Sequence, residues 1–338
     1  MDDLEPIRPE QAIEMYLTDR EPELAEATVR SQRSRLRQFE KWCEQEDITD
    51  LTTITGRDLH RYRLWRREDG DLAPPSEKSQ MDTLRSFLRW AEKCEAAPQG
   101  IAEKVVSPSL DKDQHVREVS VDAEEAEQIL DKLARYEYAS LRHLCFRLLW
   151  RVGIRRGTLV ALDVEDYDEE NQHLEIKHRP ETGTPLKLQT RGERFVGLND
   201  ETCAIINAWL DDRRPNQSDD WDRKPLLATS QGRIHPTTIQ GYVYSVTKSC
   251  YLTNECPHGQ VIEECKAARD RTEAYACPSS KSPHSIRRGA LTHWLSEDIP
   301  KTVAGARASV TPEILDLHYD VRDEREKMEQ RRGFLDNI

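Results

Sequence analysis

A mainly α chain with one small antiparallel β-sheet, divided into two domains, is the fold class this sequence predicts. Three observations predict it. Leu, Ile, Val, Phe and Trp recur at helical spacing almost throughout, and the period changes to two only between residues 173 and 198. A stretch carrying Pro98, Gly100 and Pro108 separates two long helical tracts. A length of 338 residues suits two domains of ordinary size. No apolar run approaches the roughly 20 residues of a membrane span. The acidic start Met1-Asp2-Asp3-Leu4-Glu5 lacks the apolar stretch of a secretion signal, so a cytoplasmic protein with no membrane partner is expected.

In domain 1, residues 1–106, a helix is predicted over about 27–46. Val29, Leu36, Phe39 and Cys43 share one face, and Arg30, Arg33, Arg37 and Lys41 the opposite one. That cationic face reads either as a DNA-phosphate surface or as a solvated helix exterior. Further helices are expected over residues 56–68, with Arg61, Arg63, Arg66 and Arg67, and over 79–95, with Leu84, Phe87, Leu88 and Ala91. Pro74-Pro75 is expected to break the chain between them. Residues 107–119 read as a linker punctuated by Pro108, Asp111, Lys112 and Asp113.

Domain 2, residues 120–338, opens with a helix through Ala126, Ile129 and Leu133, then a very apolar helix over 141–152. His173 to His178 alternates, Pro180-Glu181-Thr182-Gly183-Thr184-Pro185 turns, and Gly192 to Leu198 alternates again, which together spell an antiparallel hairpin. Helical periodicity returns over 200–213 and 236–247. A cysteine-rich insertion occupies about 248–280, and a charged tail follows over 320–338, with Met328, Phe334 and Leu335 able to dock on a neighbouring protomer or pack in cis.

Three elements of domain 2 carry chemistry. Gly153-Ile154-Arg155 ends an apolar helix at a glycine and presents an arginine there. In Ser282-Pro283-His284-Ser285-Ile286-Arg287, Ser282 suits an N-cap and Pro283 the first helical turn, which places His284 and Arg287 on one face near the positive end of a helix. His318-Tyr319-Asp320 supplies a phenol about 30 residues further on. In this order, with the hairpin between the first two, these elements resemble the tyrosine recombinase (phage-integrase) family, in details most like integrases of halophilic archaea. The resemblance spans nearly the whole chain.

The resemblance implies a helical core-binding (SAM-like) domain followed by an α+β catalytic domain, the two clamping double-stranded DNA, and a tetramer on DNA. It implies site-specific breakage and rejoining of DNA strands through a 3′-phosphotyrosyl intermediate on Tyr319, with no metal or nucleotide cofactor for catalysis. Arg155, His284 and Arg287 match the family's charge-stabilising residues. The hairpin lysine that protonates the leaving 5′ oxygen is Lys187, with Lys177 as the rival. Thr158 stands where the family usually has an acidic residue. Arg307, in Gly305-Ala306-Arg307, stands where it usually has His or Trp and is read as a phosphate ligand. These departures leave open a catalytically weakened DNA-binding regulator of the same fold, and the tyrosine chemistry alone leaves open a topoisomerase-like nicking and closing enzyme.

The chemistry is sound on its own terms. A phosphodiester under attack gathers charge on its non-bridging oxygens, and arginines offer fixed bidentate donors to it. A phenol needs nearby cations or a base to become nucleophilic, and the leaving alkoxide needs an acid.

Charge does not decide the partner. A net charge of −13, with 33% charged and 36% hydrophobic residues, argues at first against nucleic acid. Yet 36 arginines stand against 14 lysines amid the carboxylates, a balance expected of a salt-adapted protein that keeps arginine for specific contacts. In concentrated salt long-range attraction to DNA is screened, and short-range arginine contacts must carry recognition.

Four of the eight cysteines, Cys250, Cys256, Cys265 and Cys277, fall within 28 residues, with His258 as an alternative ligand. The readings are a structural zinc site, four reduced thiols or a redox disulfide. Cys43, Cys94, Cys145 and Cys203 lie in apolar helical stretches and are expected in the core. His293 is expected to pack rather than to act.

Overall fold

The computed structural model describes residues 4–70, 72–109, 119–320, 322 and 324–332. It is mostly helical, with two small antiparallel sheets among the described residues, and divides into Met1–Arg117 and Glu118–Ile338. Most of the expected linker, residues 110–118, lies outside the described residues, as do Phe334 and Leu335 of the tail.

The first unit packs α1 (Pro9–Arg20), α2 (Glu26–Gln45), α3 (Gly56–Gly70) and α4 (Pro74–Lys93) around an aromatic core in which Tyr16, Phe39, Trp42, Tyr62 and Phe87 meet edge to face or stacked. The face division of α2 holds: Val29, Leu36, Phe39 and Cys43 are buried, and Arg30, Arg33, Arg37 and Lys41 are exposed. Two expectations are corrected. Pro74-Pro75 begins α4 rather than separating helices, because proline's missing N–H costs nothing in a first turn. Cys94 is exposed, because it caps the end of α4 instead of continuing its buried face.

In the second unit α5 (Ala123–Tyr136) is capped by Asp122, which accepts from the Glu125 amide, and α6 (Leu141–Arg147) by Ser140. The apolar run continues as a π-helical turn, Leu148–Val152, and stops at Gly153 in the left-handed region, φ 64°. α7 (Arg156–Ala161) follows. The three-stranded sheet has the order β1 (Tyr167–Asp168), β2 (His173–Ile176), β3 (Arg194–Gly197), with Leu174 opposite Val196 and Ile176 opposite Arg194. Directly opposed residues share a sheet face, so Arg194 points with Val196 and Ile176 toward the interior while Phe195 points to solvent.

The chain then runs through α8 (Asp200–Ala208), the two-stranded β4 (Ala228–Thr229) and β5 (Gly232–Arg233), α9 (Pro236–Thr247), α10 (Ser249–Thr253) and α11 (Lys266–Arg269). It ends with α12 (Pro283–Ser296), α13 (Lys301–Ala308), α14 (Pro312–His318) and α15 (Glu324–Arg332). The main core gathers α5, α6, the sheet, α8, α9 and the buried side of α12. A second, small core of Leu291, Leu295, Ala304, Ala308, Val310, Leu315 and Tyr319 fastens α13 and α14 onto the far end of α12.

Candidate active site

The first two expected elements and the hairpin lysine deliver side chains to one cavity of about 370 Å³, lined by Arg155, Arg156, Gly157, Lys187, Gln240, Ser282, Pro283, His284 and Arg287, while Tyr319 lies outside its lining. Arg155 arrives because Gly153 turns the chain. A Cβ at Gly153 would lie 2.5 Å from Cη2 of Trp294 as well as in the left-handed region, so only glycine lets the helix end against that indole. Gly153→Ala is expected to destabilise this unit by about 2–4 kcal/mol, combining a left-handed alanine with overpacking. Denaturant unfolding of the full chain reads it; a change below about 0.5 kcal/mol would show that the indole moves freely.

α12 starts as its sequence dictates, with Ser282 accepting from the Ser285 amide at 3.3 Å and Pro283 in the first turn. His284 reaches the surface of the cavity. Partial desolvation, then the charges of Arg287, Arg288, Lys187 and Arg155, lower its pKa from the ordinary value, so the imidazole is neutral at neutral pH. Arg287 is only 2% exposed. It donates to the carbonyl of Ala308 at 2.8 Å and to the carbonyl of Gly153, and the Tyr319 phenol lies close enough to act on its charge and on that of Arg155. Burial, then the neighbouring Arg155, pushes it down to about 10, which still leaves it cationic at neutral pH.

Tyr319 is 6% exposed and packs in cis against Leu315 and its neighbours. Thr292 donates its hydroxyl to the Tyr319 carbonyl at 3.1 Å. The next residue, Asp320, is ion-paired with Lys301 and Arg322 at 2.8 Å each. Burial raises its pKa and these two cations more than reverse the effect, so the anchor beside the phenol stays charged.

Lys187 lies in the β2–β3 connection, held in place by a brace beneath it. Arg179 donates to both oxygens of buried Asp166 at 2.6 and 3.0 Å, Arg223 pairs with buried Asp163 at 3.3 Å, and the Leu186 amide donates to Nδ1 of His178 at 2.9 Å. The rival Lys177 is held by Glu175 at 2.8 Å and Asp166 at 3.4 Å and does not line the cavity.

Arg307 stands outside the cavity wall. Its guanidinium donates to the carbonyls of Gly197 at 2.7 Å and Arg151 at 3.1 Å, lies over the Trp294 ring at 5.5 Å, and is not among the side chains lining the cavity. Trp294 and the two carbonyls hold the guanidinium there. Thr158 is buried in α7, and His293 stacks on Trp150 at 5.8 Å, a packing role.

Sequence reasoning missed Arg194. Its inward position, two residues from Val196 in an alternating strand, was the available signal. Burial, then Arg287, Arg155 and Arg307, pushes it down to about 10. Among the described residues no carboxylate pairs with Arg155, Arg194, Arg287 or Arg307, so this corner of the molecule holds uncompensated positive charge, as a phosphate-binding site requires.

On α2 the expected DNA-facing cations mostly have acidic partners: Arg30 pairs with Glu26, Arg33 with Glu14, and Lys41 with Asp69 at 3.9 Å. These pairs are solvent-exposed, so exchanging a carboxylate for another anion costs little.

Cys250, Cys256, His258, Cys265 and Cys277 all line one cavity of about 600 Å³, and the cysteines are free thiols. Among the described residues, however, no group of three or more His, Cys, Asp or Glu side chains is arranged to hold a metal ion. The residues stand on separate short helices and loops around that cavity, and His258 Nε2 meets Ser279 Oγ at 2.6 Å.

The comparisons with known proteins define the class to which this fold and cavity belong. The chain belongs to the phage integrase family, whose model matches residues 120–306, and the model of that family's N-terminal SAM-like domain matches residues 14–94. It is similar to tyrosine recombinase XerC 2 of Ralstonia nicotianae, 27% identical over 211 residues, which span 61% of this chain and 57% of that protein. It is also similar to tyrosine recombinase XerC of Myxococcus xanthus, 23% identical over 275 residues, 79% of this chain and 78% of that protein. Among solved structures, the Tn1549 transposon integrase in complex with a circular intermediate DNA superposes with a TM-score of 0.69 at 13% identity, covering 97% of this chain and 99% of that one, a likeness of fold. No helix among the described residues is long and apolar enough to cross a membrane.

Proposed function

We propose that this protein is a site-specific DNA recombinase that cuts and rejoins strands through Tyr319. The observation that carries this reading is the meeting of Arg155, Arg287, His284 and Lys187 around one cavity, with the Tyr319 phenol near enough to act on the charge of both arginines. The phenolic oxygen attacks the scissile phosphorus and the bond to the 5′ oxygen breaks, leaving a 3′-phosphotyrosyl link. The phenol's proton passes to a base, for which neutral His284 is the cavity's candidate, and Lys187 gives a proton to the departing 5′ oxygen. The two guanidiniums hold the non-bridging oxygens as charge builds. Attack by the 5′ hydroxyl of another strand reverses these steps. Exchange between two duplexes requires several protomers, and an assembly of four on DNA belongs to this reading, as do α2 as a backbone contact and a salt-rich working medium.

The test is capture. Purified protein is incubated in high salt with a randomised library of nicked duplexes, denatured, and the protein-linked DNA sequenced and its attachment mapped by peptide analysis. Recovery of one enriched sequence on the Tyr319 peptide is expected; no covalent DNA would overturn the reading. Relaxation of plasmids lacking that sequence would mark a nicking and closing enzyme instead.

Lys187 has its own check. Lys187→Ala is expected to slow cleavage about 10²–10⁴-fold. Replacing the 5′-bridging oxygen by sulfur should restore the rate to within about tenfold, because a thiol ionises near pH 8.5 and leaves without a proton. Absence of sulfur rescue, or an equal defect in Lys177→Ala, would remove Lys187 from this role.

A further inference from the structure

Three consecutive carbonyls at the end of α13 each receive a different arginine. Arg194 Nε donates to the carbonyl of Arg307 at 2.8 Å, Arg287 to that of Ala308 at 2.8 Å, and Arg155 to that of Ser309 at 3.2 Å. These carbonyls have no onward helical partner, since Ser309 turns left-handed at φ 54°, and they form the negative end of the helix. Two of the three arginines line the cavity and the third does not. Arg194 uses its other arm on the carbonyl of Gly192 at 2.7 Å and so ties the start of β3 to the α13 turn.

We propose that Arg194 is a positioning residue for strand cleavage: by pinning the 307–309 turn, it sets the acceptors that orient Arg155 and Arg287 toward the phosphate. The inference rests on the recombinase reading above. A turn free to shift by an ångström would carry both guanidiniums with it, and an error of that size in a reacting geometry costs about two orders of magnitude. Arg194 also adds a cation that nothing neutralises, so its loss and its replacement by lysine separate two contributions. Lysine keeps the charge but gathers its three donors at one nitrogen and lacks the span of the planar fork that reaches the Gly192 and Arg307 carbonyls together.

The experiment is single-turnover adduct formation on a nicked duplex carrying the sequence captured as above, at saturating DNA and at a temperature where circular dichroism shows every variant folded. Arg194→Gln is expected to lower the rate about 30–100-fold, and Arg194→Lys about 10-fold, with the dissociation constant and the reacting fraction within about twofold of the parent. In an Arg155→Lys background, Arg194→Gln should cost less than it does in the parent, because one of the two groups it orients is already compromised while Arg287 still depends on it. A merely structural role would lower the reacting fraction or the melting temperature, leave the rate of the folded fraction unchanged, and so overturn the proposal. Fully additive losses in the double variant would overturn it too. If the parent protein forms adduct and the Arg194 variants match its rate, Arg194 alone is removed from the mechanism. A parent that forms no adduct overturns the recombinase reading and this one with it.

Discussion

Tyr319→Phe is expected to bind DNA as the parent does and to form no covalent adduct, a loss of at least about 10⁴-fold that places it below detection. The substitution is unusually clean here. The ring packs against Leu315, Ala304 and Ala308 in the small core and phenylalanine fills the same volume, so the melting temperature should move by no more than about 2 °C. Arg287 beside the ring keeps its two carbonyl acceptors. Binding affinity, carried by many backbone contacts, should stay within about threefold. Gel shift reads the binding and denaturing electrophoresis the adduct. Residual adduct at more than about one part in a thousand would assign the nucleophile to another residue, and the phenol would become a packing group.

What the sequence made legible follows from range. The hairpin shows as alternation within 26 residues, the start of α12 shows in Ser282-Pro283, and the buried face of α2 shows in four apolar positions; each signal is local and each element forms for local reasons. The cavity itself was reached only through the order of its motifs, since no rule of spacing brings Arg155 to Arg287. Choosing between Lys187 and Lys177 needed Glu175 and Asp166, the acids that occupy Lys177. Arg194 and Arg307 were harder still, because their partners are backbone carbonyls, and a carbonyl has no identity in a sequence. The cysteines show the converse: proximity along the chain delivered them to one cavity wall but not to one point in space. Likewise α1, whose polar and apolar positions barely segregate, gave no periodic signal and is helical because Ala12, Ile13, Tyr16 and Leu17 find the aromatic core.

Arg287 separates catalysis from binding most sharply. Arg287→Lys is expected to fold, since lysine keeps the positive charge near the Ala308 and Gly153 carbonyls, yet to cleave about 10²–10³-fold more slowly, the usual cost of one fixed donor to a developing oxyanion. The reason is geometric: a planar fork holds two phosphate oxygens in register, and an ammonium holds one at a time. Arg287→Ala should do worse on a second count. It strands two buried carbonyls, at about 1–3 kcal/mol each, and opens a void beneath Trp294 and Gly153. Both variants should bind the site within a few-fold of the parent, with the slope of log affinity against log salt unchanged in Arg287→Lys, which keeps the charge, and falling by about one in Arg287→Ala, which removes it. If the affinity of Arg287→Lys falls as far as its rate, the guanidinium grips the phosphate equally before and during attack, and the acceleration must come from Arg155 and Lys187 instead.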